Sequence, residues 1–257
     1  MMIQSLNRGI DILFFLKQAG SASVTEVAGQ LGVHKSTASR LMETLRGHDM
    51  IQLDPISKKY RLGYRLLFLA DNIQKNTRKT MEKARPFMYA LSTTVRESVH
   101  LGTFYNKRVY VVDQVRSNKE YRITATPGMV EPAHASALGK CIFAWRTPEF
   151  VAKYMADFGM PPFTENTITD INKFIMQLSQ VRTKGYAIDD EELTPGIRCL
   201  ASPIFDRRGE AGFSVGISFP ATELSPDRII KIANQLKNTC AEISRKIGYQ
   251  KNNAGDF

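Results

Sequence analysis

Between residues 3 and 18 the apolar positions Ile3, Leu6, Ile10, Leu13 and Phe14 recur at helical spacing. The pattern breaks at Gly20-Ser21. Ser23-Val24-Thr25-Glu26 then has the form of a capping box, in which hydroxyl and carboxylate satisfy each other's free backbone N–H groups. The short helix it opens ends at Gly32, a residue suited to a left-handed cap. A third helix is predicted from about His34 to Gly47, burying Ala38, Leu41, Met42 and Leu45. Ile51–Leu53 and Lys58–Leu62 flank the turn Asp54-Pro55-Ile56-Ser57 and read as a β-hairpin. Three short helices followed by a basic hairpin make a winged helix-turn-helix.

Residues 63–79 again carry a helical pattern, with Leu66, Leu67, Leu69 and Ile73 to bury, and the polar, basic stretch Gln74 to Lys79 reads as a linker. A further helix follows, bearing Ala84, Phe87, Met88, Leu91 and Val95. Beyond it strands and helices mix. Strands are expected over 99–104, 109–115 and 121–126, helices over 135–145, 149–155 and 171–184, and a strand pair over 199–205 and 212–219. Ser225-Pro226-Asp227 announces a last helix, with an N-cap residue before a proline at the first helical position. The Asn/Gly-rich stretch after Gln250 reads as a frayed tail.

Composition narrows the function. The chain has 257 residues, 43% of them apolar, enough for two domains with their own cores. No apolar run reaches the length of a membrane span, and the N-terminal run lacks the form of a signal peptide. Cys141, Cys199 and Cys240 lie far apart, as do the four histidines. Reduced thiols in the cytoplasm are expected, with no metal site and no cofactor. The net charge is +10, and residues 1–78 carry eleven Lys and Arg against six Asp and Glu. This basic balance fits either a nucleic-acid surface or an ordinary solvated one. Helical geometry decides for DNA: with Ala38, Leu41, Met42 and Leu45 inward, Ser36 and Arg40 point out, with Thr37 flanking. These residue types read base edges from the N-terminal half of a groove-seated helix. Lys35 begins that helix, while Lys58, Lys59 and Arg61 of the hairpin suit phosphates or the minor groove. Glu43 lies on the same face and shortens the strip able to approach phosphate.

The stretches Ser5-Leu6-Asn7-Arg8-Gly9-Ile10, Val33-His34-Lys35-Ser36-Thr37-Ala38-Ser39-Arg40-Leu41 and Tyr60-Arg61-Leu62-Gly63 resemble the IclR family of bacterial transcription regulators. His34 departs from the Pro or Ser common there. Two later stretches resemble signatures of that family's effector domain: His134-Ala135-Ser136-Ala137-Leu138-Gly139-Lys140, and Gly185 to Glu192 followed by Gly196-Ile197-Arg198-Cys199. On residues alone, the first fits either anion binding at a helix start or close helix packing. The second, with four acidic residues in a row, reads as a solvated loop. The resemblance implies a GAF-like fold holding a small, often carboxylated metabolite. Carried over position by position, it implies backbone donors at Ala137 and Leu138, polar pocket positions at Asp189, Cys199 and Ser218, and apolar walls at Ile123 and Ile197. Cys199 equally suits a buried core position. Where some relatives carry a serine this chain has Gly216, which removes a hydroxyl or leaves room for a bulkier ligand.

The expected architecture is therefore α+β. A winged helix-turn-helix over 1–64 is joined by a linker helix over 65–79 to a GAF-like mixed α/β effector-binding domain over 80–250, with a flexible tail over 251–257. The expected function is sequence-specific transcription regulation, as a repressor, by a homodimer or dimer of dimers on a palindromic double-stranded operator, modulated by a small carboxylate effector. An enzyme would need a nucleophile–base pair or a metal cluster, which the acidic run without neighbouring His or Cys does not supply. A ligand-independent DNA-packaging protein would not need the second domain.

Overall fold

The computed structural model describes residues 3–120 and 122–250, and of residues 72–76 the backbone alone. The tail 251–257 and Tyr121 lie outside the described residues. Two compact units form, Met1–Thr77 and Arg78–Phe257.

In the first unit, α1 (Gln4–Ala19), α2 (Val24–Leu31) and α3 (Lys35–Gly47) precede the antiparallel pair β1 (Ile51–Leu53) and β2 (Tyr60–Leu62). The capping box of α2 is formed: the Ser23 amide donates to Glu26 Oε2 at 2.6 Å and the Glu26 amide to Ser23 Oγ at 3.3 Å. These bonds hold the Glu26 carboxyl down at about 2. Gly32 caps the far end in the left-handed conformation. Ala22 exchanges two backbone hydrogen bonds with Tyr60, which fixes the hairpin to the α1–α2 turn. Ile12, Leu16, Val27, Ala38, Met42, Ile51 and Tyr60 form the core. Only part of the expected α1 stripe faces it. Ile3, Leu6, Ile10 and Phe14 are exposed on a separate face, Phe14 by 68%.

One helix, α4, runs from Arg65 to Val95 where the sequence suggests two helices and a linker. Nothing between Gln74 and Lys79 is a glycine or proline, so polarity alone does not stop the helix.

The second unit is built on a six-stranded antiparallel sheet of order β5-β4-β3-β8-β7-β6. Its strands are β3 (Val99–Tyr105), β4 (Arg108–Val115), β5 (Val130–Glu131), β6 (Ala187–Asp190), β7 (Ile197–Phe205) and β8 (Ala211–Pro220). On one face, Ala84, Met88 and Leu91 of α4 and Ile232, Leu236 and Ile243 of α8 (Pro226–Ile247) pack on Leu200, Val215 and Ile217. The other face carries α5 (Ala137–Phe143), α6 (Pro148–Phe158) and α7 (Ile171–Lys184). Residues 122–126 form no strand, contrary to the expectation for 121–126, while the short strands β5 and β6 were not anticipated. Among the described residues no helix is long and apolar enough to cross a membrane.

Two glycines set how closely α5 approaches its surroundings. A Cβ on Gly139 would stand 2.6 Å from the Ala133 Cα and carbonyl oxygen, and one on Gly216 would stand 2.8 Å from Leu138 Cδ2. The first clash is with backbone and the second with the end of a flexible side chain. Gly139→Ala is therefore expected to lower unfolding stability by about 1–3 kcal/mol, and Gly216→Ala by distinctly less. Urea unfolding of both variants checks the order, and equal losses would show that α5 shifts freely.

Candidate nucleic-acid interface and effector site

Helix α3 begins at its cap, His34, whose Nδ1 accepts from the Ser36 amide at 3.4 Å and lies 2.8 Å from Ser36 Oγ. The departure at His34 thus still supplies an N-cap, and it orients the Ser36 hydroxyl. Ala38 and Met42 are buried, Leu41 and Leu45 half-buried; Lys35, Ser36 and Arg40 are exposed and Thr37 is half-buried. Glu43 is taken up by two partners, Arg46 Nη2 at 2.8 Å and the Tyr60 hydroxyl, which donates at 3.2 Å. Its charge is thus balanced and directed toward the hairpin, which weakens the repulsion expected of it.

At the hairpin tip, Asp54 Oδ1 accepts from the amides of Ile56 and Ser57 and from the Ser57 hydroxyl, and Lys58 takes a left-handed backbone. Lys58 and Arg61 are exposed. Lys59 lies 3.1 Å from Glu26 Oε1, so this cation is shared with the capping box of α2.

In the second unit, Asp189, Cys199 and Ser218 fall on one row across three strands. Asp189 pairs with Cys199 between β6 and β7, and Cys199 with Ser218 between β7 and β8. Cys199 Sγ lies 3.3 Å from Ser218 Oγ. Ile197 precedes Cys199 by two residues on the same face of β7, because strand side chains alternate. Ala137 and Leu138 open α5 over this face. Ser136 caps the helix by accepting from the Gly139 amide at 3.1 Å, and Ser214 Oγ donates to the Leu138 carbonyl at 3.1 Å. The Leu138 side chain packs against Gly102 and Gly216. The space beside Gly216 is therefore filled by Leu138 and is not left for a bulkier ligand. Ile123 lies outside the strands, between β4 and β5. It lines an open cavity of about 870 Å³ with Arg116, Lys119, Thr124, Pro220 and Glu223.

Only part of the acidic run is solvated: Asp190 is exposed and Glu191 half-buried. Asp189 and Glu192 are 2% and 3% exposed. Asp189 Oδ1 accepts from the amides of Glu192 and Leu193. Glu192 meets the ammonium of Lys140, a fully buried lysine of α5 that also donates to the Ile188 carbonyl at 2.9 Å. Burial pushes Lys140 below the ordinary lysine range, and Glu192 opposes that shift. Burial raises the Asp189 carboxyl to about 6, against the pull of the Glu192 amide and Lys140. Burial and the neighbouring Asp189 push the Cys199 thiol well up, so it stays neutral. Sequence reasoning missed Lys140, Glu192 and the nearby Glu131. A lysine amid small and apolar residues at a helix start was the available signal for the first.

Family and structural comparisons place the whole chain. Residues 5–55 match the IclR helix-turn-helix domain and residues 76–245 the C-terminal domain of the bacterial transcriptional regulator IclR. The chain is 29% identical over 242 residues to the HTH-type transcriptional regulator BhcR of Paracoccus denitrificans, covering 94% of this chain and 86% of that one. It is 30% identical over 246 residues to the HTH-type transcriptional repressor AllR of Salmonella paratyphi A, covering 95% and 90%. The crystal structure of the Thermotoga maritima IclR superposes with a TM-score of 0.80 at 28% identity, over 96% of this chain and all of that one. With matching helix-turn-helix and C-terminal domains and relatives aligned almost end to end, the chain belongs to the IclR family of bacterial transcriptional regulators, whose helix-turn-helix members bind DNA.

Proposed function

We propose that this protein is a cytoplasmic repressor that binds a palindromic operator as a dimer or dimer of dimers and changes its affinity when a small carboxylate occupies the second unit. The observation that carries the ligand-responsive part is the polar row Asp189–Cys199–Ser218 beneath the start of α5, with Asp189 and Ser218 buried and Cys199 half-buried. A core that served packing alone would not set two buried polar side chains, Asp189 and Ser218, in register on either side of a half-buried thiol. A carboxylate would take the backbone N–H groups of Ala137 and Leu138, while ligand hydroxyls meet Asp189 and Ser218. The exposed Lys35, Ser36 and Arg40, with Thr37 beside them, support base reading, and Lys58, Lys59 and Arg61 support phosphate contact. The repressor sign follows the naming of AllR. For a switch, the ligand must bind the DNA-competent and DNA-free states unequally.

Three expected outcomes test this reading. Arg40→Ala should lower operator affinity by about 1–3 kcal/mol and affinity for random DNA much less. Equal weakening on both in a gel-shift titration would reduce Arg40 to a phosphate contact. The exposed face Ile3, Leu6, Ile10 and Phe14 supports pairing of two chains. Sedimentation at micromolar concentration should therefore show at least a dimer, and a monomer both with and without operator DNA would end the palindrome argument. In a melting-shift screen, a monocarboxylate at a hundred times its dissociation constant should add about 2.7 kcal/mol of stability. Ser218→Ala and Asp189→Asn should each shrink that shift and leave ligand-free operator affinity nearly unchanged. Selective binding of cations or uncharged aromatics would remove the carboxylate reading.

A further inference from the structure

Glu131 belongs to neither the sequence expectations nor the residues carried over from the family, yet the fold brings it to the same site. It lies on the edge strand β5, opposite Val109 of β4 and five residues before the Ser136 cap of α5. The residue keeps some exposure, but its carboxyl end is enclosed by protein, facing the Ser136 hydroxyl and the Asp189 carboxyl. Cys199 is acted on by both carboxyl groups, which places Glu131 and Asp189 around one thiol, itself 3.3 Å from Ser218.

The charges around this group are unequal. From β4 the partner is the apolar Val109. From α5 the buried cation Lys140 is engaged by Glu192 and the Ile188 carbonyl, and it acts on Asp189. His134, just before the Ser136 cap, turns its Nε2 to the Pro161 carbonyl, and burial lowers its pKa, so it stays neutral near pH 7. From β6 and β7 come Asp189 and the neutral Cys199. Among the described residues, the groups that act on Glu131 are the Ser136 hydroxyl and the Asp189 carboxyl. Burial, seconded by Asp189, raises its carboxyl to about 7. Lys140 pulls Asp189 down, but burial outweighs it, and two buried acids side by side do not both ionise readily.

We propose that Glu131 completes the effector site as a neutral carboxylic acid that donates a hydrogen bond to the ligand, so that an anionic carboxylate enters together with a proton on the Glu131–Asp189 pair. The inference rests on the reading that Asp189, Cys199 and Ser218 hold a small carboxylate. It turns the paired acids from an obstacle to such a ligand into its selector: the site offers an O–H donor to a carboxylate and rejects it once that donor ionises. A neutral acid held as a donor in an apolar setting is an established device in binding and catalytic sites. Above pH 7 the affinity then falls by up to about tenfold per pH unit, because each ligand must bring one proton. Below that range the proton is already in place and the dependence flattens.

The same arrangement has a consequence without ligand. In the unfolded chain Glu131 titrates near 4.5, and in the fold at about 7. Below pH 4.5 both forms hold the proton. As pH rises to 7 the unfolded chain releases it first, so stability is lost with rising pH through that window. Glu131→Gln removes this loss.

The full chain is tested in two arms. First, wild type and Glu131→Gln are melted without ligand at pH 5 and pH 8; the variant should gain several degrees relative to wild type between the two. Second, pyruvate and gluconate, a short keto acid and a sugar acid, are titrated calorimetrically at pH 6 and pH 8 in two buffers of different ionisation enthalpy. Wild type should bind at least tenfold more weakly at pH 8, with close to one proton taken up. Glu131→Gln, which keeps a donor, should bind with a much shallower pH dependence. Glu131→Leu, which keeps none, should lose at least tenfold at pH 6. If neither acid binds wild type at pH 6, the proposal falls together with the carboxylate reading of the site, and the melting arm then shows whether Glu131 itself still holds its proton. An equal melting gap at both pH values, a wild-type pH slope in Glu131→Gln, or wild-type affinity in Glu131→Leu overturns the proposal.

Discussion

The second unit depends on one buried charge. Lys140 has no exposed surface, and its ammonium is held by Glu192 and the Ile188 carbonyl. A lone ammonium in that position would cost several kcal/mol, so the fold must bring Glu192 to it. Doing so closes the acidic run into a tight turn, and the turn delivers the Glu192 and Leu193 amides to Asp189. The ion pair thus sets both the seat of α5 and the attitude of Asp189 on β6. Ala137 and Leu138 on one side and Asp189 on the other are parts of a single frame. Removal of either partner would leave the other charge buried and unmatched, which is why such pairs specify an arrangement more than they add net stability.

Much of the N-terminal unit was legible because its signals are local. The capping box, the left-handed Gly32 and the spacing of Ala38 and Met42 each act within a few residues. The α5 to α8 helices and the long central strands were legible for the same reason. What escaped depended on distant partners. Asp189 and Glu192 look like solvated acids until Lys140, some fifty residues away, is placed against them. The edge strand β5 is two residues long, too short for alternation to register. The two helices expected around residue 79 are one, because a polar stretch without glycine or proline does not by itself end a helix. Of the residues assigned to the ligand site through the family resemblance, Asp189, Cys199 and Ser218 share a row, whereas Ile123, outside the strands, lines an open cavity.

The two units handle charge in opposite ways. On α3 and the hairpin the cations are mostly exposed, and their acidic neighbours are neutralised at the surface, Glu43 by Arg46 and Glu26 by Lys59. Solvent screens these pairs, so each contributes little to stability and leaves the surface free to exchange partners. Around α5 the charges are buried, few and individually matched, and the acids left over are pushed toward neutrality by burial. A screened surface suits a polyanion with many equivalent phosphates. A dry, matched interior suits a small ligand that must be told apart from its neighbours.

Leu138 reaches across to the strands at Gly102 and Gly216, and a methyl group at either glycine would press on it. Bulk at these three positions is therefore a common quantity. In a lineage where residue 216 acquires a side chain, residue 138 must shrink or turn, and the roof of the site moves with it. Changes in ligand preference along this seam would then arise in compensating steps whose effects do not add, each tolerable only in the presence of the other.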